Sequence, residues 1–395
     1  MKVLFYRYGS ICEPDIAAAF EEFGFLCYEM KHEIEKKDYT PQENNQKVSE
    51  YLMNHPTDLV FSINFFPFLS EVCNIFHIPY FSWIVDSPVM ELFSVSIKNP
   101  YNRVFLFDRK IYEEIHPLNP ACIFHLPLAV NVSDKQKIVT QATEAQRRHF
   151  CADISFVGSL YTEKSGYERF RSSNSHLRGY LEGLMNAQLQ VYGYYFIDDC
   201  VSEDLAEQFR KDFPGFYTYP SESYLTDAMT LSQLYLGTHV TVMERKAIME
   251  TLGNRFSVDL YTASDTSALP MITNRGLAKT LTEMPIIFHE SKINLNPTAK
   301  SIRSGVPLRV FDILGCGGFL LSNYQPELMD YFTPGVDLDT YSSMEELSEK
   351  CAFYLEHESI RREIAQNGLD KVTKDHNYLV RLTQMFEIAF TKEDL

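Results

Sequence analysis

The chain is short of positive charge: 36 Lys and Arg stand against 53 Asp and Glu, a formal net charge of -17. A surface this acidic repels polyanions, which argues against broad nucleic-acid binding. A small nucleotide stays compatible, because backbone N–H groups and a few cations suffice for a diphosphate. Long apolar runs are missing as well. No stretch approaches the roughly 18 to 20 residues of a transmembrane segment, and Met1–Tyr6 is too short and too quickly polar for a signal peptide, so a cytoplasmic location is expected. The 8 cysteines include no C-x-x-C pair. That removes the usual zinc and redox spacings and leaves reduced core thiols as the expectation. Solenoid repeats and low-complexity tracts are also lacking.

What is present is apolar and aromatic. Hydrophobic residues make up 45% and charged residues 23%, the balance of a globular protein. Aromatics reach 14%, with Trp83 the single tryptophan, which suits large cores and a sugar-facing cleft equally. A chain of 395 residues exceeds one ordinary core, so two domains are expected.

The first 130 residues alternate candidate strands with helical patterns. The strands are Val3–Tyr6, Phe25–Glu29, Leu59–Ile63, Tyr80–Val85, Arg103–Phe107 and Ile123–His125. The helices between them include Asp15–Phe23, Gln46–Asn54, Leu69–Phe76 and Arg109–His116. After Pro127, up to about Phe150, the chain turns polar and reads as the inter-domain connection plus a surface helix. A second alternation begins at Asp153–Ser159 and continues with a strand at Leu189–Tyr192 and a mostly helical stretch, Glu203–Leu252. Then come a strand at Phe256–Tyr261, a helix at Gly276–Met284, a strand at Ile293–Leu295, a helix from near Val306 and a strand at Gly318–Leu321. Helices at Met344–Glu356, Ser359–Gln366 and Asn377–Phe390 close the chain. This predicts an α/β protein with two Rossmann-like domains, each a doubly wound parallel sheet, facing across a cleft. The expected division is 1–130, a connection at 131–150, 151–375, and a helix at 376–395 crossing back to the first domain. Ligands of such sheets bind at the carboxyl ends of the strands.

The most informative run is Lys292–Asn323, which reads as strand, polar loop, helix, glycine turn and strand. Gly305 precedes Val306 and Pro307, the pattern of a helix start. The free N–H groups there, with the positive end of the helix dipole, form an anion site suited to a diphosphate. Arg303 and Arg309 flank that start and could bond phosphate, or could form surface ion pairs. Asp312, one turn on, could accept hydrogen bonds from two vicinal ribose hydroxyls. Gly315, Gly317 and Gly318 end the helix and allow close approach to the next strand.

This pattern resembles the C-terminal domain of GT-B glycosyltransferases, most of all the bacterial group that includes the spore protein CgeB. The residues that carry the likeness are Ile293-Asn-Leu-Asn296, Gly305-x-Pro-x-Arg-x-Phe-Asp312 and Cys316-Gly-Gly-Phe319, with Glu283-Met-Pro285 upstream. Downstream come Pro334-Gly-Val-Asp337, a helix terminus at Gly368, then His376, Tyr378 and Arg381. The likeness covers about the last 120 residues well, and more loosely Phe156-Val-Gly158 and Trp83-x-x-Asp86. It implies the GT-B fold and a nucleotide-diphosphate sugar donor, UDP-linked, held by the C-terminal domain. It also implies transfer of a hexosyl or N-acetylhexosaminyl group to a hydroxyl on a protein or surface glycan, and it brings Asn296 into the donor set. The pattern departs from the retaining family-4 enzymes at one place: the first of their two glutamates, eight residues before Asp312, is Ser304 here.

Other candidates follow from position. Gly158 and Ser159 end a strand where backbone can approach a pyrophosphate, or where the chain merely turns. Lys164 follows as a phosphate lysine or a solvated one. Tyr261, Ser264 and Asn274 could line a nucleobase pocket, with simple packing as the alternative for Tyr261. Asp86 ends the strand at Trp83 and could act as general base on an acceptor hydroxyl if it is buried, or cap a helix at Pro88. Tyr8, Ser10, Glu13 and Asn64 sit at neighbouring strand ends and could touch acceptor. Asp337-Leu-Asp339 reads as a solvated turn rather than a metal site, so metal-independent transfer without a cofactor is expected. Two rival functions share the fold: a non-catalytic binding or structural protein, suggested by Ser304, and a nucleotide-sugar epimerase.

Overall fold

The computed structural model describes residues 1–36 and 39–390. These divide into two units, one of Met1–Leu128, Tyr219–Leu225 and Tyr378–Leu395, the other of Ala129–Thr218 and Thr226–Asn377. Each is built on a six-stranded sheet.

In the first unit the strands are β1 (Lys2–Tyr6), β2 (Leu26–Met30), β3 (Leu59–Ile63), β4 (Tyr80–Trp83), β5 (Asn102–Leu106) and β6 (Ile123–His125). They pair in parallel in the order β2-β1-β3-β4-β5-β6. A parallel sheet covered on both faces demands unbroken apolar strands, and β3, Leu-Val-Phe-Ser-Ile, is buried throughout. The edge strand β2 is covered on one side only, and Leu26 and Tyr28 are exposed. Helix Glu13–Glu22 buries Ile16, Ala19 and Phe20, a spacing of three and four that makes one face. Phe20 meets the rings of Phe5 and Phe61 edge-on, at 5.9 and 5.1 Å. Helix Pro41–Asn54 starts at a capping box of Thr40 and Glu43. The helix Tyr378–Ala389 packs on this unit through Phe386, against Phe25 and Phe81. The end of the expected 376–395 segment, residues 391–395, lies outside the described residues.

In the second unit the strands are β7 (Ala152–Val157), β8 (Val258–Tyr261), β9 (Thr273–Asn274), β10 (Ser291–Asn296), β11 (Leu320–Asn323) and β12 (Asp339–Tyr341). All pairings are parallel, in the order β9-β8-β7-β10-β11-β12. Numbered within the unit this is 3-2-1-4-5-6, the order of dinucleotide-binding sheets, whose switch point falls between the first and fourth strands. A second apolar cluster, around Phe209, Tyr235 and Leu181, belongs to the helices between β7 and β8. There the segment Thr230–Gly237 winds as a π-helix before continuing as helix Thr238–Gly253. Among the described residues no helix is long and apolar enough to cross a membrane.

Several local expectations are corrected. Residues 131–150, expected as the connection plus one surface helix, form two helices, Val132–Gln141 and Glu144–Phe150. Leu189–Tyr192 is no strand but the loop after helix Ser175–Gln188. Its apolar side chains are covered by the neighbouring clusters, a burial that a short apolar run cannot distinguish from pairing in a sheet. Gly276–Met284 is not a helix either. The helix is Met284–Glu290, because Pro285 is tolerated only in a first turn. Ser359–Gln366 is part of a longer helix, Glu358–Asp375, and Gly368 lies in its interior rather than at a terminus.

Gly368 is small for a reason of packing. A Cβ there would stand 2.3 Å from the Asp337 carbonyl oxygen and 2.7 Å from Leu314 Cδ2. On an open helix surface Gly→Ala gains about 1 kcal/mol. Here the sign reverses, and Gly368→Ala is expected to destabilise by about 1–3 kcal/mol, seen as a lower urea midpoint at unchanged slope. A raised midpoint would show that the close approach of the Asp337 backbone is not a constraint.

Candidate functional site

The carboxyl ends of β1, β3 and β4 gather one group of candidates. Asn64, the residue after β3, adopts a left-handed conformation with φ 56°, which asparagine tolerates better than most side chains. That turn lets its Nδ2 donate to the Tyr8 hydroxyl at 2.8 Å and to Asp86 Oδ2 at 2.7 Å. Its Oδ1 accepts from Val85 N at 3.0 Å. Burial, then the charge of Asp86, pushes the Tyr8 phenol well above its ordinary value, with Ser10 beside it. Tyr8, Ser10, Asn64 and Asp86 are therefore brought together. Asp86 itself is exposed, so the burial on which a general-base role rested is not found. It caps no helix either, since the next turn, Met90–Phe93, starts from Val89.

Glu13 is different. Its side chain is 0% exposed, and its Oε1 accepts from Tyr8 N and Gly9 N at 2.9 and 3.1 Å while Oε2 accepts from Arg7 Nε at 3.0 Å. It closes the β1 turn from within and presents nothing to an acceptor.

In the second unit, β10 leads through a loop to helix Leu308–Gly315 and back to β11. The helix begins two residues after Val306, with Pro307 just outside it, and both Gly305 and Val306 are buried. Val310 N donates to the Pro307 carbonyl at 3.0 Å, and the N–H groups of Leu308 and Arg309 precede the first bond of the helix. Asp312 lies on this helix, 8% exposed, with Oδ2 at 3.7 Å from Arg309 Nη1. Arg309 lies back over the Phe288 ring, 5.2 Å from its centroid, and donates to Met284 Sδ at 3.6 Å. Arg303 is paired with Asp198 at 3.0 Å. Ser304 is buried and donates to Glu327 Oε1 at 2.7 Å. Asn296, also buried, donates to Thr298 Oγ1 and Ser322 Oγ at 3.0 and 2.9 Å. Its amide thus ties β10 to β11 instead of facing a ligand.

The turn after β7 is fixed by Glu163, which accepts from the hydroxyls of Ser159 and Ser264. Burial raises the Glu163 carboxyl, but these bonds outweigh it and the net direction is down. Gly158 N donates to the Tyr261 carbonyl at 3.1 Å. Burial pushes the Tyr261 phenol up to about 12, and its hydroxyl is buried without a hydrogen-bond partner among the described residues. Asn274 is exposed on β9 and donates to Thr266 Oγ1. Lys164 is exposed, with Nζ over the Tyr161 ring. Asp339 is no solvated turn residue: it is buried in β12 and accepts from Lys350 Nζ and the Tyr354 hydroxyl.

Comparison with known structures sets this sheet pair in context. HepE of Anabaena, crystallised with UDP, superposes with TM-score 0.55 at 11% identity, over 98% of this chain and 99% of that one. Sucrose-phosphate synthase from Thermosynechococcus elongatus gives TM-score 0.55 at 10% identity, over 98% of both chains. The fold is GT-B. A UDP-forming α,α-trehalose-phosphate synthase from Burkholderia xenovorans shares it, at TM-score 0.53 and 10% identity over 99% of each chain. A family model described as glycosyl transferase-like matches residues 246–387, from within helix Thr238–Gly253 to within helix Tyr378–Ala389. No curated protein matches the chain. Within the GT-B frame, residues missed in the sequence stand out: Glu244, Arg245, Lys300, Asp198 and Glu327. Lys300 and Glu327 lie in or beside the motif segment. Nothing in Met243-Glu-Arg-Lys246 distinguishes a buried arginine from a surface one.

Glu13→Ala leaves Arg7 Nε and the N–H groups of Tyr8 and Gly9 without their acceptor, while Arg7 keeps its pair with Glu29. A loss of about 3 kcal/mol or more is expected, read from the urea midpoint, whereas Ser10→Ala should stay within about 0.5 kcal/mol. Equal losses would return Glu13 to the ligand-facing set.

Proposed function

We propose that this chain is a glycosyltransferase that moves a hexosyl or N-acetylhexosaminyl group from a UDP-linked donor to a hydroxyl on a protein or surface glycan, in the cytoplasm. The carrying observation is Asp312, a nearly buried carboxylate one turn into the helix that follows β10. A carboxylate there can accept from both ribose hydroxyls while the helix start receives the diphosphate. Two further observations support the reading. The glycosyl transferase-like family model covers this segment, and HepE, of the same fold, has been crystallised with UDP-glucose. The motif likeness to the CgeB group supports the acceptor class.

In this scheme the acceptor oxygen bonds to the anomeric carbon as the bond from that carbon to the β-phosphate oxygen breaks. The electron pair leaves with the diphosphate, where helix N–H groups and nearby cations stabilise it. The acceptor's hydroxyl proton passes to the departing diphosphate or to water. No metal or cofactor enters the scheme. The donor set comprises the Gly158–Ser159 turn, Tyr261, the Arg303–Val306 approach, Arg309 and Asp312, with Asn296 and Ser304 shaping it from behind through their bonds to Ser322 and Glu327.

Calorimetry tests the ribose assignment. Asp312→Ala should weaken both UDP and uridine by about 10- to 100-fold, the worth of a charge-assisted hydrogen-bond pair. Unchanged affinity for both nucleotides would overturn it.

A further inference from the structure

An open sheet ends in two edge strands whose outward backbone groups have no strand to bond, and such edges recruit other chains unless they are blunted. Three of the four edges here are short: β6 and β12 have three residues each and β9 has two. The fourth is β2, five residues long, Leu-Cys-Tyr-Glu-Met, with neither lysine nor proline inside it. Its inner side is taken by β1. Leu26 N donates to the Met1 carbonyl and Arg7 N to the Met30 carbonyl, both at 2.9 Å. Backbone groups alternate sides along a strand, so the N–H and C=O of Cys27 and Glu29 turn to the free edge, and none of these four has a partner among the described residues. The edge is also apolar. Leu26 is 70% exposed and Tyr28 49%, and, two residues apart, they share one face. On the other face Pro14, Ala17 and Ala18 of helix Glu13–Glu22 are small, and a cavity of about 860 Å³ opens between them and β2.

What fits this edge is the same edge of a second copy. Set antiparallel about a two-fold axis through Tyr28, Cys27 of each copy faces Glu29 of the other. That register makes two hydrogen-bonded pairs, so all four outward groups of each copy are satisfied. Leu26 then lies opposite Met30, and Tyr28 opposite Tyr28, apolar against apolar. Glu29 meets a thiol and Lys31 meets Phe25, so no like charges stand face to face. Charge also favours this place over the rest of the surface. Two copies of a chain of net charge -17 repel each other. Around β2, however, Lys2, Arg7 and Lys31 line the same cavity as Glu21 and Glu29, and Glu29 is paired with both Arg7 and Lys31. The approach here is not acidic. An isologous two-fold contact requires this kind of self-complementarity.

We propose that β2 is a dimerisation edge, pairing with β2 of a second copy so that the two first-unit sheets become continuous. The proposal does not depend on the reaction assigned above. Sedimentation velocity on the full chain, over about 1 to 100 μM, should show a dimer. Cys27→Pro removes one outward donor from each copy, two bonds in all, and leaves the bonds to β1 in place. It should raise the dissociation constant about 30-fold. Tyr28→Lys sets two ammonium groups against each other across the axis and should raise it about tenfold or more. If Cys27→Pro fails to fold, Tyr28→Lys decides. Cross-linking reads the register, in a Cys27→Ser background oxidised with glutathione disulfide. Tyr28→Cys should give a covalent dimer that a thiol reductant reverses, because opposed residues of a non-hydrogen-bonded pair lie within disulfide reach. Leu26→Cys, opposite Met30, should not. A wild type that stays monomeric throughout, leaving the edge to a different protein or to none, would overturn the proposal. So would a dimer indifferent to both edge variants, or one cross-linked by Leu26→Cys and not by Tyr28→Cys.

Discussion

The pairing of β7 with β10 is the seam of the second unit. From β7 the chain builds outward to β8 and β9, and from β10 to β11 and β12, so the sheet has one place where neighbouring connections leave in opposite directions. Parallel register there sets Ile154 beside Ile293 and Ser155 beside Asn294. The Ser155 hydroxyl donates to Asn294 Oδ1 at 3.0 Å inside the sheet, while Asn294 Nδ2 reaches the carbonyls of Phe288 and Phe319. These bonds lie in low dielectric, where each is strong if made and costly if missed. They hold the seam in register, and Arg245, on helix Thr238–Gly253, closes its carboxyl end by donating to the carbonyls of Ser159 and Pro297 at 2.6 and 2.8 Å. Gly318 is needed at the other end, since a Cβ there would stand 2.4 Å from the Phe288 carbonyl oxygen.

The first unit solves an equivalent problem with an uncharged residue. Its switch lies between β1 and β3, and there Asn64 reaches both the Tyr8 hydroxyl and Asp86. The strained backbone at Asn64 is stable because the surrounding bonds over-determine it, a pattern found where geometry serves a ligand. Glu13 works one layer beneath, bonding the β1 turn from inside. An exposed carboxylate oriented by an amide and a buried one satisfied by backbone N–H groups thus both act on Tyr8, in different ways.

The strands were legible because continuous apolar runs between polar turns have few other uses, as Leu59–Ile63 shows. The helix at Met284–Glu290 was missed by a whole element because the apolar spacing before Pro285 imitates a helix that the proline forbids. Gly368 looked like a terminus because glycine often ends helices, and only the nearby Asp337 backbone explains its place in a helix interior. Among site residues, Asp312 was legible from its motif and its apolar neighbours. Asn296 was not legible as a structural amide, because its partners Thr298 and Ser322 come together only through sheet register.

Arg245 marks the deeper limit of reading by pattern. Periodicity identifies which residues are apolar and on which face they repeat, but it is blind to a cation placed on the apolar side on purpose. Such a residue breaks the rule that burial follows hydrophobicity, and local rules are broken mainly where function compensates. Arg245 donates to the carbonyls of Ser159 and Pro297 and lies between the rings of Phe156 and Tyr161, with the buried Glu244–Lys300 pair beside it. Its forked, planar head thus joins the ends of β7 and β10 in a way that no apolar residue at that helical position could.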